Sequence, residues 1–64
     1  MSERTLRRKL KYLNGYLYQI RKVRGEDNLY RLYNLSIGMY QGGGEGYYYT
    51  FEELVEIAKS YDED

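Results

Sequence analysis

Cysteine and histidine are both absent from this 64-residue chain, and each absence removes a class of chemistry. Without cysteine no disulfide staples the fold. Without either residue, zinc sites of the Cys/His type and histidine-based catalysis are excluded. No apolar run approaches the roughly 18 residues of a membrane-spanning helix, and nothing after Met1 reads as a signal peptide. The expectation is a soluble, cytoplasmic protein with no membrane partner and no cofactor. Length sets the next limit. A chain this short buries only about 60% of the surface its unfolded form exposes, and folding entropy nearly cancels the gain from burial. One domain spanning residues 1–64, with one modest core, is therefore expected.

Tryptophan is also missing, and Phe51 is the only aromatic residue other than tyrosine. Ten tyrosines take its place. A tyrosine has an apolar body and a polar tip, so it suits half-buried positions and interfaces better than a dry core. The formal net charge of zero conceals a division. Residues 1–24 hold eight Lys and Arg against Glu3 alone, whereas residues 25–64 hold nine acids against Arg31 and Lys59. Such a chain either pairs its halves internally or turns a basic face to an anionic partner.

Leu6, Leu10 and Leu13 fall on one helical stripe, with Ser2 placed to cap and Asn14-Gly15 placed to stop a helix over about 3–14. Arg4, Arg7, Arg8 and Lys11 lie opposite the leucines, as a solvated face or an anion- or partner-binding one. From Tyr16 the period becomes two, which predicts strands over about 16–24, 29–35 and, more briefly, 39–41. Their short connections make them antiparallel. Both faces of this sheet hold apolar residues, and that of Tyr16, Tyr18 and Ile20 is the expected core face. A flexible loop follows at Gly42–Gly46; no Lys-Ser/Thr pair succeeds it, so it is not a nucleotide-phosphate loop. Thr50-Phe51-Glu52-Glu53 is a capping box opening a helix over about 51–61, with Tyr49 as a hydrophobic staple and an acidic tail at 62–64. The expected architecture is a small two-layer α+β domain of order α-β-β-(β)-α. Its antiparallel sheet has two or three strands, with two helices on one face.

Catalysis finds no footing in these residues. No nucleophile has an ordinary base, and Glu52, Glu53 and Glu56 share one exposed helix face where all three stay ionised. A glycosidase pair needs carboxyls facing each other at about 5–9.5 Å across a cleft, which so small a core cannot build. The chain therefore reads as a non-enzymatic binding protein with a protein partner. The contact candidates are Arg7, Arg8, Lys11, Tyr12, Arg21, Arg24 and the run Tyr47-Tyr48-Tyr49, because arginine and tyrosine are the preferred anchors of protein interfaces. If Tyr47–Tyr49 is extended, alternation sends either Tyr48 or both its neighbours away from the core. A nucleic-acid-binding or transcription-related module using residues 4–24 is the second reading, with arginines on phosphates and tyrosines on bases.

The elements Leu6-Arg7-Arg8-Lys9-Leu10, Gly15-Tyr16, Tyr30-Arg31-Leu32-Tyr33, Gly42-Gly43 and Tyr49-Thr50-Phe51-Glu52-Glu53-Leu54 occur in an order that carries a resemblance over roughly residues 5–61. The chain resembles a group of short helix–strand–strand–helix proteins of Gram-positive bacteria, their phages and mobile elements. Its tyrosine load and its glycine loop are richer than that group's pattern. The resemblance transfers no catalytic residue. It implies an accessory protein that binds and inhibits a host protein such as a CRISPR nuclease, in the manner of anti-CRISPR proteins.

Overall fold

The computed structural model describes residues 1–42 and 44–62, with the side chain of Asp62 left aside. Gly43 of the expected loop and residues 63–64 of the expected tail lie outside the described residues. The chain is α+β, with two helices and a four-stranded antiparallel sheet of order β1-β2-β3-β4. That is more strands than the two or three expected.

The extra strand comes from the segment expected to finish the first helix. Helix α1 (Glu3–Lys9) begins at Ser2, whose hydroxyl accepts from the Thr5 amide at 3.1 Å, and it ends well before residue 14. Asn14 and Gly15 do not stop it. They form the two-residue turn between β1 (Tyr12–Leu13) and β2 (Tyr16–Lys22), with φ of +50° and +83°. Left-handed conformation at both central positions is what a type I′ hairpin turn requires, and Asn-Gly meets it at least cost. Leu13 does reach the core, but from a strand.

Strands β2 and β3 (Tyr30–Asn34) pair through five registered residues, from Tyr18 against Asn34 to Lys22 against Tyr30. Strand β4 (Met39–Tyr40) adds the far edge. Asn34 makes the β3–β4 turn: its Oδ1 accepts from the amides of Ser36 at 3.0 Å and Ile37 at 3.3 Å. At 1% exposure it is also the one buried polar side chain among the described residues. An Asx turn of this kind lets a buried polar group carry its own partners.

After a 3₁₀ turn at Glu45–Tyr47, Tyr49 returns to the edge of β3, and Tyr30 and Tyr49 exchange both backbone hydrogen bonds at 2.8 Å. Helix α2 (Phe51–Asp62) then starts in the expected capping box. The Thr50 amide donates to Glu53 Oε1 at 2.8 Å and the Glu53 amide to Thr50 Oγ1 at 3.2 Å. Asn28, from the β2–β3 connection, accepts from the Phe51 amide at 3.1 Å and so ties that turn to the helix start.

The core is one cluster. Leu6 and Leu10 of α1 and Leu54 and Ala58 of α2 meet Ile20, Tyr30 and Leu32 of the sheet, with Tyr18, Tyr49 and Phe51 packed around them. Ile20 and Tyr18 thus sit on the core side, as expected, although Tyr16 is exposed at the end of its strand. No helix among the described residues is long and apolar enough to cross a membrane.

Candidate functional site

Side chains alternate across a strand, so the residues between the core positions share the opposite face of the sheet. The strand register arranges them in three rows. Tyr12 faces Leu17 across β1–β2, and the amide of Leu35 donates to the Leu17 carbonyl at 2.7 Å, giving an exposed apolar row. Gln19, Tyr33 and Tyr40 are successive register partners in the second row. Arg21 and Arg31 are partners in the third.

The aromatic and arginine rows interlock. The Arg21 guanidinium lies 4.0 Å from the Tyr33 ring centroid, and that of Arg31 lies 4.8 Å from Tyr48 and 5.6 Å from Tyr40. Tyr33 meets Tyr40 edge-on at 5.1 Å, and Tyr47 stacks on Tyr40 at 5.8 Å. Hydrogen bonds fix both arginines further. Arg21 donates to Gln19 Oε1 at 3.0 Å and to the Tyr40 hydroxyl at 3.4 Å. Arg31 donates to the Gly46 carbonyl and to the Tyr48 hydroxyl, each at 3.1 Å. Cation–π contacts and offset or edge-on rings are favourable geometries, so this is a built arrangement rather than a loose fringe.

The nine candidates from the sequence are distributed unevenly. Tyr12 (63% exposed), Arg21, Tyr47 (46%) and Tyr48 (40%) all belong to this face. Tyr49 does not: it is half-buried against the core and bridged to Tyr30. Strict alternation fails along Tyr47–Tyr49 because Tyr47 is not extended. Its φ is +59° at the end of the 3₁₀ turn, so Tyr47 and Tyr48 both point outward. Arg7 is engaged elsewhere. It donates to the Ile20 carbonyl on the edge of β2 that β1 is too short to cover, and it pairs with Glu3 at 3.0 Å. Occupying an open edge in this way guards against edge-to-edge association. Arg7 and Lys11 together line a small cavity with Leu17, Gln19 and Leu35, whereas Arg8 is exposed on α1 and Arg24 in the β2–β3 turn, apart from them.

Arg31, Tyr33 and Tyr40 were not singled out by sequence reasoning. Their signal was the alternation Arg31-x-Tyr33, which becomes informative only once the register with Arg21 and Tyr40 is known.

Little else on the surface offers chemistry. A cleft of about 470 Å³ between the β1–β2 hairpin and the end of α2 is lined by Tyr16, Tyr18, Tyr49 and Tyr61 among other neutral side chains. Burial pushes the Tyr18 phenol pKa upward, the neighbouring Tyr61 and Tyr16 add to this, and a hydrogen bond with Asn34 partly offsets it. No carboxylate or amine among the described residues lines that cleft. Among the described residues no cluster of three or more His, Cys, Asp or Glu could hold a metal ion. Fold and face together define a small α+β module that displays an aromatic, arginine-bearing sheet surface. The chain matches no family model, no curated protein and no solved structure.

Proposed function

We propose that this chain is a non-enzymatic interaction protein that docks a protein partner on the open face of its sheet. One observation carries the reading: the face gathers Tyr12, Leu17, Arg21, Arg31, Tyr33, Tyr40, Tyr47 and Tyr48 and contains no carboxylate or lysine from the strands. Tyrosine and arginine are enriched, and lysine and acids depleted, at the centres of protein interfaces. The reading also needs both helices on the other face of the sheet. Their shared contacts with Ile20, Tyr30 and Leu32 support that placement. Rings pinned by their neighbours lose little conformational freedom on binding, which favours affinity.

The partner class follows from the resemblance to small phage and mobile-element proteins: a host-defence enzyme, such as a CRISPR nuclease, whose activity docking blocks. The test has two arms. Purified protein is assayed for inhibition of DNA cleavage by such a nuclease, and the intact chain is compared with Tyr12→Ser, Arg21→Ala and Arg8→Ala as bait in host lysate. Capture lost with Tyr12→Ser and Arg21→Ala but kept with Arg8→Ala supports the sheet face. The reverse pattern, together with salt-sensitive retention on a heparin column, supports the nucleic-acid reading through residues 4–24.

A further inference from the structure

Arg21 and Arg31 are directly opposed across β2–β3, and no described carboxylate pairs with either one. Like charges at opposed positions repel and destabilise a sheet. The tyrosine rings offset this through their negative faces but do not neutralise it. A guanidinium carries five N–H donors, and two are engaged on Arg21 and two on Arg31. The remaining donors of two neighbouring forks, held in place by their internal contacts, suit a planar oxyanion. From this we infer that Arg21 and Arg31 form a carboxylate-recognition site for an acidic, leucine-bearing segment of a partner protein lying along the sheet face.

The inference rests on the sheet-face reading and adds the chemistry of the partner. Beside the charged row runs the aromatic row, and beyond it lies the exposed apolar row of Tyr12, Leu17 and Leu35. Leu17 and Arg21 are four residues apart on one strand, about 13 Å at the usual rise. A matching segment therefore places acids and aliphatic groups at that separation, as an extended chain does over four residues. Single-stranded nucleic acid fits less well. Base stacking needs free ring faces, whereas Tyr33 is capped by Arg21, Tyr48 by Arg31, and Tyr40 is flanked by Tyr33 and Tyr47.

The test is an NMR titration of the full chain with three probes. The peptide Leu-Ser-Leu-Ser-Glu-Ser-Glu presents both leucines and both glutamates on one side when extended. Its Gln-for-Glu counterpart removes only the charge, and an oligothymidylate supplies phosphates and bases. Saturable shifts of the Arg21 and Arg31 side-chain Nε–H signals are expected with the Glu peptide. The Gln peptide should bind about tenfold more weakly, the worth of roughly one charged hydrogen bond. Arg21→Lys keeps the charge but not the fork, and should weaken the Glu peptide several-fold at a temperature well below its melting point, while binding of the Gln peptide stays as in the parent. Equal binding of the Glu and Gln peptides, with shifts only at Tyr12, Leu17 and Leu35, overturns the carboxylate site and leaves the sheet face standing. Shifts confined to α1 overturn both. Absence of any saturable shift, tighter binding of the oligothymidylate, or concentration-dependent shifts of Arg21 and Arg31 with no probe added (a second copy as occupant) each overturn the proposal.

Discussion

The Arg21 guanidinium over the Tyr33 ring can be weighed directly in a double-mutant cycle of Arg21→Met and Tyr33→Leu. Both replacements keep most of the apolar stem. Tyr33→Leu removes the cation–π contact, worth about 0.5–1 kcal/mol on an exposed face. It also removes the edge-on contact with Tyr40, worth about 0.5–1.5 kcal/mol. The expected loss is thus about 1–2.5 kcal/mol. Arg21→Met removes the same cation–π contact together with the bonds to Gln19 and Tyr40, and it relieves repulsion from Arg31, so the single substitution does not isolate the contact. The cycle cancels those other effects, because they are present in both backgrounds. Urea denaturation of all four proteins should give a coupling of about 0.5–1 kcal/mol. For a domain near 60 residues, each 1 kcal/mol also lowers the melting temperature by about 4–8 °C, so thermal scans give a second reading. Coupling within the additivity error of about 0.3 kcal/mol would refute the argument, because the guanidinium would then not be held by the ring.

Three other outcomes are expected. Thr50→Ala breaks the reciprocal cap of α2 and should cost about 1 kcal/mol, seen as a lowered melting temperature; no change would mean that the cap is replaced by water at no cost. Tyr49→Ala should lower stability by several kcal/mol, since its ring packs on the core, whereas Tyr47→Ala should cost under about 1 kcal/mol and act on partner binding instead. Tyr18 has its folded pKa raised, chiefly by burial, above the ordinary 10.0. The unfolded chain therefore releases that proton first, so stability holds below pH 10 and declines as the pH rises through the folded value. Tyr18→Phe should flatten this alkaline decline in pH-dependent denaturation, and an unchanged slope would mean that other phenols govern it.

What could be seen in the sequence was local. The capping box at Thr50–Glu53, the Ser2 cap and the change of period at Tyr16 each depend on residues within one or two turns of chain, and the structure has them where expected. Asn14-Gly15 shows where local signals compete. The same dipeptide suits a helix stop and a hairpin turn, and the choice was made by Tyr12 and Leu13 pairing with Leu17 and Tyr16 rather than by the dipeptide itself. The face is non-local for the same reason. Arg21 and Arg31 are ten residues apart, and nothing in their own neighbourhoods announces that register makes them partners. The burial of Asn34 is non-local too, since it lies opposite Tyr18 across β2–β3, sixteen residues away in the chain.

The segment between β4 and α2 leaves the sheet and comes back to nearly the same place. The Gln41 amide donates to the Leu32 carbonyl, and Tyr49 rejoins the ladder at Tyr30, two residues further along β3. Its stems are consequently only about 7 Å apart along that strand. A loop clamped in this way is a cassette: its length can change without moving any strand register, and doubling it adds only about 0.6 kcal/mol of closure entropy. Tyr47 and Tyr48 ride on this cassette and reach back to Tyr40 and Arg31, whose backbones belong to the strands. A designer can therefore retune what the face recognises at the exposed positions 45, 47 and 48, whereas Gly42 has to stay: its φ is positive, and a Cβ there would meet the hydroxyl of Tyr49, whose ring packs on the core.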